Sequence, residues 1–573
     1  MFENDNNNNT PVNAAETPEN TVSGVEKVAK KGKGKKIAIG AGIAGAVLVG
    51  GGIAAFNFSP LVENQVRKHI MSDEKYYAWV NEENAETLAK KISEDYKLSL
   101  DNYENGVKGN VAFIYEPTDE VKSMLTEELE GVDEPETQQL IDIVEGIGSI
   151  EIGADYNSKK GAAQYSTYAK LNDEQLITFD VLSDLDSMNV YARIPELTET
   201  WLTMPLESWM EAAADESGSS YEYQQFEQYK DVIEDIVKDP KSYLSPEELE
   251  KEVARYVGVW NDTVGSSAEV ENSETISILD IEQKFSVSTV KFDGELIGKL
   301  AKNFVKEFKN DDVIKDIVCD KVGLVDEDDY KDTIDMLVDE IDEASEELED
   351  NDELEFKLMT YIDAKGVIRG FEVKHEEGNG RFIIGKDGDK VRGEAYLEAD
   401  DEELFRAELK ADEKDKKYTG NLDVIADDED VFSLEFDNFE VVNEEKGFVS
   451  GTVTAVIPDI DPITLELKAT KDSQAISYDI NFDDTDYGTI TLSITQKDKA
   501  DVEVPADSDT FVIDPDSLED IDFTKYVSKD DVEDFIKNLL TGIGFDDKTA
   551  ADAAKEGADG LYEGIADLGD ELA

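Results

Sequence analysis

The sequence predicts an α+β protein: a single N-terminal transmembrane helix, then a large ectodomain of curled antiparallel β-meanders with helical insertions. Three observations predict it. Ile37 to Phe56 runs for 20 residues without a polar side chain. Residues 354–505 alternate apolar and polar side chains every second position, the period of a strand with one face buried. Apolar stripes of helical period interrupt the strand-like segments at 219–261, 295–350 and 530–540.

Residues 1–36 are rich in Asn, Thr, Pro and Glu near their start and show no apolar period, as expected of a disordered cytoplasmic tail. Residues 37–56 form the spanning element, since 20 residues at a rise of 1.5 Å cover a hydrocarbon core of about 30 Å. Six lysines precede the run (Lys27, Lys30, Lys31, Lys33, Lys35, Lys36), and only Arg67 and Lys68 follow closely. Basic residues stay in the cytoplasm, so the N-terminus is placed inside and residues 57–573 outside. A cleaved signal peptide is the alternative. Its apolar region would be about 7–15 residues, shorter than this one, so an uncleaved signal-anchor is favoured. Ala38, Gly42, Ala46, Gly50 and Ala54 sit four apart, a ladder that lets two helices pack closely and self-associate. Twelve of these 20 residues are Gly or Ala, so composition alone also produces such a ladder.

Residues 57–97 are a juxtamembrane helical segment. Tyr76, Tyr77, Trp79 and Val80 cluster at the start of its polar helix, and packing on the first folded block is favoured over a membrane-interface role. Residues 98–218 make a first α+β block. Leu98–Tyr115 reads as a hairpin around Glu104-Asn105-Gly106, helices follow near 118–147, and four strands run over 149–156, 164–170, 176–182 and 188–193. Residues 219–353 are a helical insert with a short strand pair. Phe226, Tyr229, Ile233, Ile236 and Val237 hold the helical period, and Ser245-Pro246-Glu247-Glu248 is a helix start with Ser at the N-cap. Strands return at Ile276/Ile278 and Phe285/Val287/Thr289. Beyond them Ile334, Leu337, Val338, Ile341 and Leu348 make one stripe of a helix whose other face is acidic.

Residues 354–505 are an antiparallel β-meander. Phe405/Ala407/Leu409, Phe432/Leu434/Phe436, Ile463/Leu465/Leu467 and Ile490/Leu492/Ile494 alternate with polar residues, which places one face on a core and one in water. A sheet this wide curls, because flat sheets of many strands are unusual. Residues 506–573 form a C-terminal helical tail, with Val532, Phe535, Ile536 and Leu539 on one face and a loosely packed end.

Charge and cysteine use exclude several functions. The first 56 residues hold 6 of the 55 basic and 5 of the 136 acidic residues, which leaves the remainder with a net charge of −82. Such a surface repels nucleic acid and anionic headgroups, and its acidic clusters suit weak binding of divalent cations. Cys319 is the only cysteine, so no internal disulfide forms.

The chemical inventory is thin. His69 and His375 lack any partner at metal-ligand spacing, and Cys319 follows Ile317 and Val318 as a buried inert thiol would. Two S-x-x-K strings, Ser72–Lys75 and Ser288–Lys291, lack the S-D-N and K-T-G partners of penicillin-binding enzymes. Asp326-Glu327-Asp328-Asp329 and Asp484-Thr485-Asp486 miss EF-hand spacing. No catalytic residue and no cofactor is called for, and a metal site stays open.

Glu74–Asn84 (EKYYAWVNEEN), Val190–Leu197 (VYARIPEL) and Tyr361–Gly370 (YIDAKGVIRG) are similar to recurring pieces of uncharacterised, membrane-anchored, β-rich surface proteins of Gram-positive bacteria. That resemblance implies a cell-surface location and no activity. The wide curled meander also resembles lipoprotein-carrier folds, whose concave sheet holds acyl chains. The expected function is a non-enzymatic extracellular binding or structural module of the envelope. A carrier or sensor of an apolar ligand comes second and an envelope hydrolase third.

Overall fold

The structure, a computed structural model, describes Arg67 and residues 70–572, apart from 130–136, 218–229, 231, 233–234, 324, 350–354, 400–401, 427–428, 483–484, 516–517 and 519–520. The helices are α1 (Asp73–Asn105), α2 (Asp119–Leu129), α3 (Thr137–Gly146), α4 (Leu206–Ser217), α5 (Pro246–Val264), α6 (Gly294–Lys309), α7 (Asp312–Lys315), α8 (Glu327–Glu349), α9 (Lys529–Ile543) and α10 (Asp547–Leu572). Six strands precede α5: β1 (Val107–Glu116), β2 (Ile150–Lys159), β3 (Ala162–Leu171), β4 (Glu174–Asp184), β5 (Asn189–Arg193) and β6 (Trp201–Pro205). After it come β7 (Ala268–Ile278), β8 (Ile281–Phe292), β9 (Phe356–Ile362), β10 (Ile368–His375), β11 (Gly378–Asp387), β12 (Lys390–Ala399) and β13 (Glu402–Lys414). The last are β14 (Lys417–Ala426), β15 (Glu429–Asn443), β16 (Phe448–Ile457), β17 (Ile460–Ala469), β18 (Ser473–Phe482), β19 (Thr485–Asp498) and β20 (Thr510–Val512).

These strands correct the expected α+β class. Twenty strands, 43% of the chain, join in one sheet, and the helices lie around it. Strand follows strand from β7 to β19, β19 pairs with β1, and β1 leads through β2–β6 to β20. All pairs are antiparallel except β6–β20. The pairing Val111↔Ile494 fuses the early strands with the late meander. Alternation shows that each segment is a strand but carries no information on a partner so distant in sequence. The transmembrane helix expected at 37–56 lies outside the described residues, and among those described no helix is long and apolar enough to cross a membrane.

The expected hairpin at Leu98–Tyr115 is also corrected. Residues 98–105 continue α1, and Gly106, at φ 81°, ends it and starts β1. The Glu104-Asn105-Gly106 turn signal is thus a helix stop, for which a glycine in the left-handed region is suited. A Cβ at Gly106 would sit 2.7 Å from the Ala500 carbonyl oxygen, so the corner admits no larger residue. One face of α10 is packed: Ala550, Ala554 and Ala558 are fully buried, where small side chains allow close approach to α9 and Val527.

At one end the sheet rolls up. The β7–β8 hairpin folds over β11–β12, and Ile278, Ile281, Phe285, Val287, Tyr361 and Ile383 fill the space between. Gly385 makes room, since a Cβ there would lie 2.7 Å from Ile278 Cδ1. Asp280 clasps the roll shut: Arg392 donates to one carboxylate oxygen and Lys390 to the other at 2.8 Å. The Arg392 hydrogen bond, then that of Lys390, holds the Asp280 carboxyl well below the usual carboxylate range. A depressed carboxyl contributes stability above its unfolded pKa of about 3.9 and loses it as pH falls below that value. Amide protection in the β7–β8 hairpin is therefore expected to stay level from about pH 8 to 5 and to decline below about pH 4. Hydrogen exchange measures it, and Asp280→Asn should flatten the decline. A decline unchanged in the variant would assign it to other carboxylates.

Helix α1 ties two distant parts of the sheet together. Asn84 donates to the Gly366 carbonyl at 3.0 Å and accepts from the Ile368 amide at 3.3 Å, beside the β9–β10 turn. At its other end the Asn105 carbonyl accepts from the Ala500 amide at 3.2 Å, beside the β19–β1 pair. The helix from Asn84 to Asn105 measures about 32 Å at its standard rise. Ten interstrand steps between the same points measure about 48 Å at standard spacing. The sheet from β10 to β19 is therefore curved, and midway along it Lys91 of α1 pairs with Glu444 in the β15–β16 turn at 3.4 Å.

Candidate functional site: an uncovered apolar sheet face

Register assigns every strand side chain to one of two faces. On the first, Leu409, Leu422, Leu434, Ala455 and Ile463 lie opposite one another across β13–β17. The same face continues from Leu467 through Ile476, Leu492, Phe113, Ile152 and Ala169 to Ile177, across β17–β19 and β1–β4. The second face is polar. Glu408 and Lys410 pair there at 2.7 Å, Ser433 donates to Asp423, Thr454 bonds Thr464, and Ser477 bonds Thr491. Opposite chemistry on the two faces is the expected consequence of period-2 alternation.

What covers the apolar face differs along the sheet. Near β8–β10 it is covered: Val290, Phe292, Phe356 and Leu358 pack on α5 and α6, and Phe371 packs on Tyr76, Trp79 and Val80 of α1. Tyr76, Tyr77 and Trp79 thus anchor the helix to the folded body. Further along, the five core clusters of the described residues draw no member from β12–β19 or β1–β3. Phe113 is 58% exposed and Ile152 61%, although both point the way of the core-facing residues elsewhere. Three positions per strand over the eleven strands β13–β19 and β1–β4 have a footprint on the order of 1000 Å² at standard sheet spacings; most of the row is half-buried by its own neighbours and Leu467 is buried, so the exposed apolar area is a part of that footprint. Patches on monomeric proteins rarely exceed about 300–600 Å², and larger ones mark interaction surfaces.

The edges of the sheet are poor partners for another strand. β7 is bulged between Glu271 and Glu274, carries Ser273 at φ 67°, and exposes Glu269, Glu271 and Glu274. β20 has three residues. Charges, bulges and short edges block edge-to-edge addition. A separate groove of about 1560 Å³ runs between α1 and the strand ends, beside Leu88, Lys91, Leu98, Val442, Glu444 and Lys471. Its lining mixes both charge signs with apolar residues.

The residues singled out in the sequence are scattered. His69 lies outside the described residues, as do Ala38, Gly42, Ala46, Gly50 and Ala54. His375 is half-buried at the end of β10, on the face of Phe371 and Val373, where its Nδ1 accepts from the Glu377 amide at 3.1 Å. Cys319 is half-buried in a π-helical turn (Asp316–Lys321); burial, then Asp320 and Glu327, pushes its thiol up and away from reactivity. Ser72 caps α1. Ser288 is buried on the helix-facing side of β8, whereas Lys291 pairs with Glu355 at 2.9 Å from the other side. Asp326 receives the amides of Asp328 and Asp329, the work of a helix cap. Among the described residues no group of three or more His, Cys, Asp or Glu is placed to hold a metal ion.

Two buried acidic clusters escaped sequence reasoning. Glu372 is buried in the rolled end, accepting from Tyr361, from Lys374 at 2.9 Å and from Tyr396 at 3.4 Å. Burial and Glu372 push Tyr361 far up and Tyr396 to about 12, so both phenols stay protonated donors. Asp311, also buried, caps α7 and accepts from Tyr256 at 2.8 Å, while Arg255 lies 3.3 Å away. Burial opposes its charge, yet the Ile314 amide and Tyr256 hold its carboxyl below the usual range; burial and Asp311 push Glu252 up. Both clusters join elements of the scaffold. With 136 acids in the chain, neither stands out by composition.

Comparison with protein-family models, curated proteins and solved structures returns no match in any of the three.

Proposed function

We propose that this chain is a non-enzymatic binding module held at the outer face of a cell membrane through residues 37–56, with the uncovered apolar face as its working surface. The observation that carries the reading is that face: contiguous apolar rows across β13–β19 and β1–β4, with no group in those rows able to give or take a proton. The location rests on the apolar run and the six lysines before it. The resemblance to Gram-positive surface proteins agrees with it. Protease added to intact cells is expected to degrade residues 57–573 and spare residues 1–36. An N-terminal tag cleaved from outside, or a mature chain beginning near Asn57, would sink the location. The triple variant His69→Ala, Cys319→Ser, His375→Gln is expected to fold and keep the surface phenotype. A variant that folds normally by circular dichroism yet loses the phenotype would make the protein an enzyme candidate.

A further inference from the structure

We infer that the occupant of the uncovered face is the hydrocarbon chains of lipids drawn from the bilayer that holds this protein. The inference rests on the membrane-held reading above and names the class of ligand. Four observations lead to it. The rows through Leu422, Leu492, Phe113 and Ile152 carry no charge and no hydrogen-bonding side chain; of the polar groups in neighbouring rows, Tyr115 donates to the Tyr487 carbonyl and Gln474 accepts from the Val449 amide, so these rows offer apolar contact without direction. The face is continuous with the interface on which Val290, Phe371 and the helices already pack, so it is the same core surface left open. Residues 57–72 connect the apolar run to the start of α1, and 16 residues reach at most about 55 Å, so the run is tethered within that distance of the β9–β10 end of the sheet.

The fourth observation is charge. The region after residue 56 carries −82, so a second copy would bring two strongly anionic bodies together. The blunted edges of β7 and β20 disfavour an added strand. The hydrocarbon chain itself is uncharged, and because this surface repels anionic headgroups, the lipids that meet neither obstacle are those with uncharged or zwitterionic headgroups. Hydrocarbon that leaves the bilayer for this face exchanges one apolar environment for another. That suits reversible loading.

The test uses the full chain in its own membrane. Cells are grown on a fatty acid bearing a diazirine, which enters the membrane lipids, and are irradiated intact. The protein is then isolated and its lipid adducts are mapped by mass spectrometry. Adducts are expected on peptides holding Phe113, Ile152, Leu465 and Leu492 as well as on residues 37–56. In Phe113→Glu/Ile152→Glu the face adducts should fall roughly tenfold, because charge is expelled from hydrocarbon, while those on 37–56 stay level. Adducts confined to residues 37–56 in the wild type would overturn the inference. So would a wild-type dimer that the same double variant dissociates without any change in lipid adducts. If protease shaving places residues 57–573 inside, the membrane-held reading fails. If shaving succeeds and face adducts are missing, only the lipid occupant fails.

Discussion

Phe285→Ala is expected to lower stability by about 3–5 kcal/mol, the cost of emptying a large aromatic site in a packed core. Phe285 is 1% exposed and meets the Tyr361 ring edge-on, centroids 6.0 Å apart. Ile278 and Ile383, its neighbours in the roll, are fully buried. The cavity cannot collapse cheaply, because the Asp280–Arg392 clasp and the Gln283–Lys386 bond hold β7–β8 against β11–β12. Denaturant unfolding measures the loss, and hydrogen exchange should place it in β7–β12. The contrasting case is Phe113→Ala. That ring is 58% exposed, so the change should stay within about 0.5 kcal/mol. Equal losses at the two sites would mean that the face at Phe113 is covered in solution. A loss below about 1 kcal/mol at Phe285 would mean that the rolled end repacks freely.

The contrast between these two phenylalanines marks how far the sequence could be read. Both stand in alternating strands, and alternation assigns each to an apolar face. Whether a second layer covers that face is a property of the whole fold. At Phe285 the β7–β8 hairpin returns over β11–β12, and that return depends on the small Gly385 and on Asp280 meeting Arg392, residues about 100 positions away. At Phe113 nothing in the described chain returns. Local signals served best where both partners are near in sequence. The Ser245 hydroxyl and the Glu248 carboxylate make the reciprocal cap their spacing predicts. His375 continues the face of Phe371 and Val373 and ends at its margin, as alternation requires. Long-range pairing was not legible: β1 finds β19 from Val111 to Ile494, 383 positions away, and that contact turns separate blocks into one sheet. The uncovered face was legible as composition and illegible as a site, because its signal is the missing partner of an ordinary strand pattern.

Ala89→Pro is expected to cost about 3 kcal/mol or more, through the lost helical hydrogen bond and the clash of the ring with the preceding turn. Ala89 is 1% exposed in the middle of α1 and lies between the two points where the helix meets the sheet. A kink there changes the length and direction of the roughly 32 Å span that holds the β9–β10 turn apart from the β19–β1 pair. The helix also braces α5, with Ser93 donating to the Pro246 carbonyl and Tyr96 to the Leu244 carbonyl, so the kink pulls on a second layer. The bow of the sheet should relax. Small-angle scattering is expected to show a larger radius of gyration, and hydrogen exchange should quicken at both ends of α1 while the α9–α10 pair stays protected. Glu86→Ala, on the exposed side of the same helix, removes only the Lys90 pair and should shift stability by about 0.5 kcal/mol or less. If Ala89→Pro loosens α1 but leaves the scattering profile and the exchange of β10–β19 unchanged, the sheet holds its own curvature and α1 is not its brace. If the bow relaxes and the lipid adducts on the apolar face fall with it, α1 sets the shape of the surface proposed to take lipid.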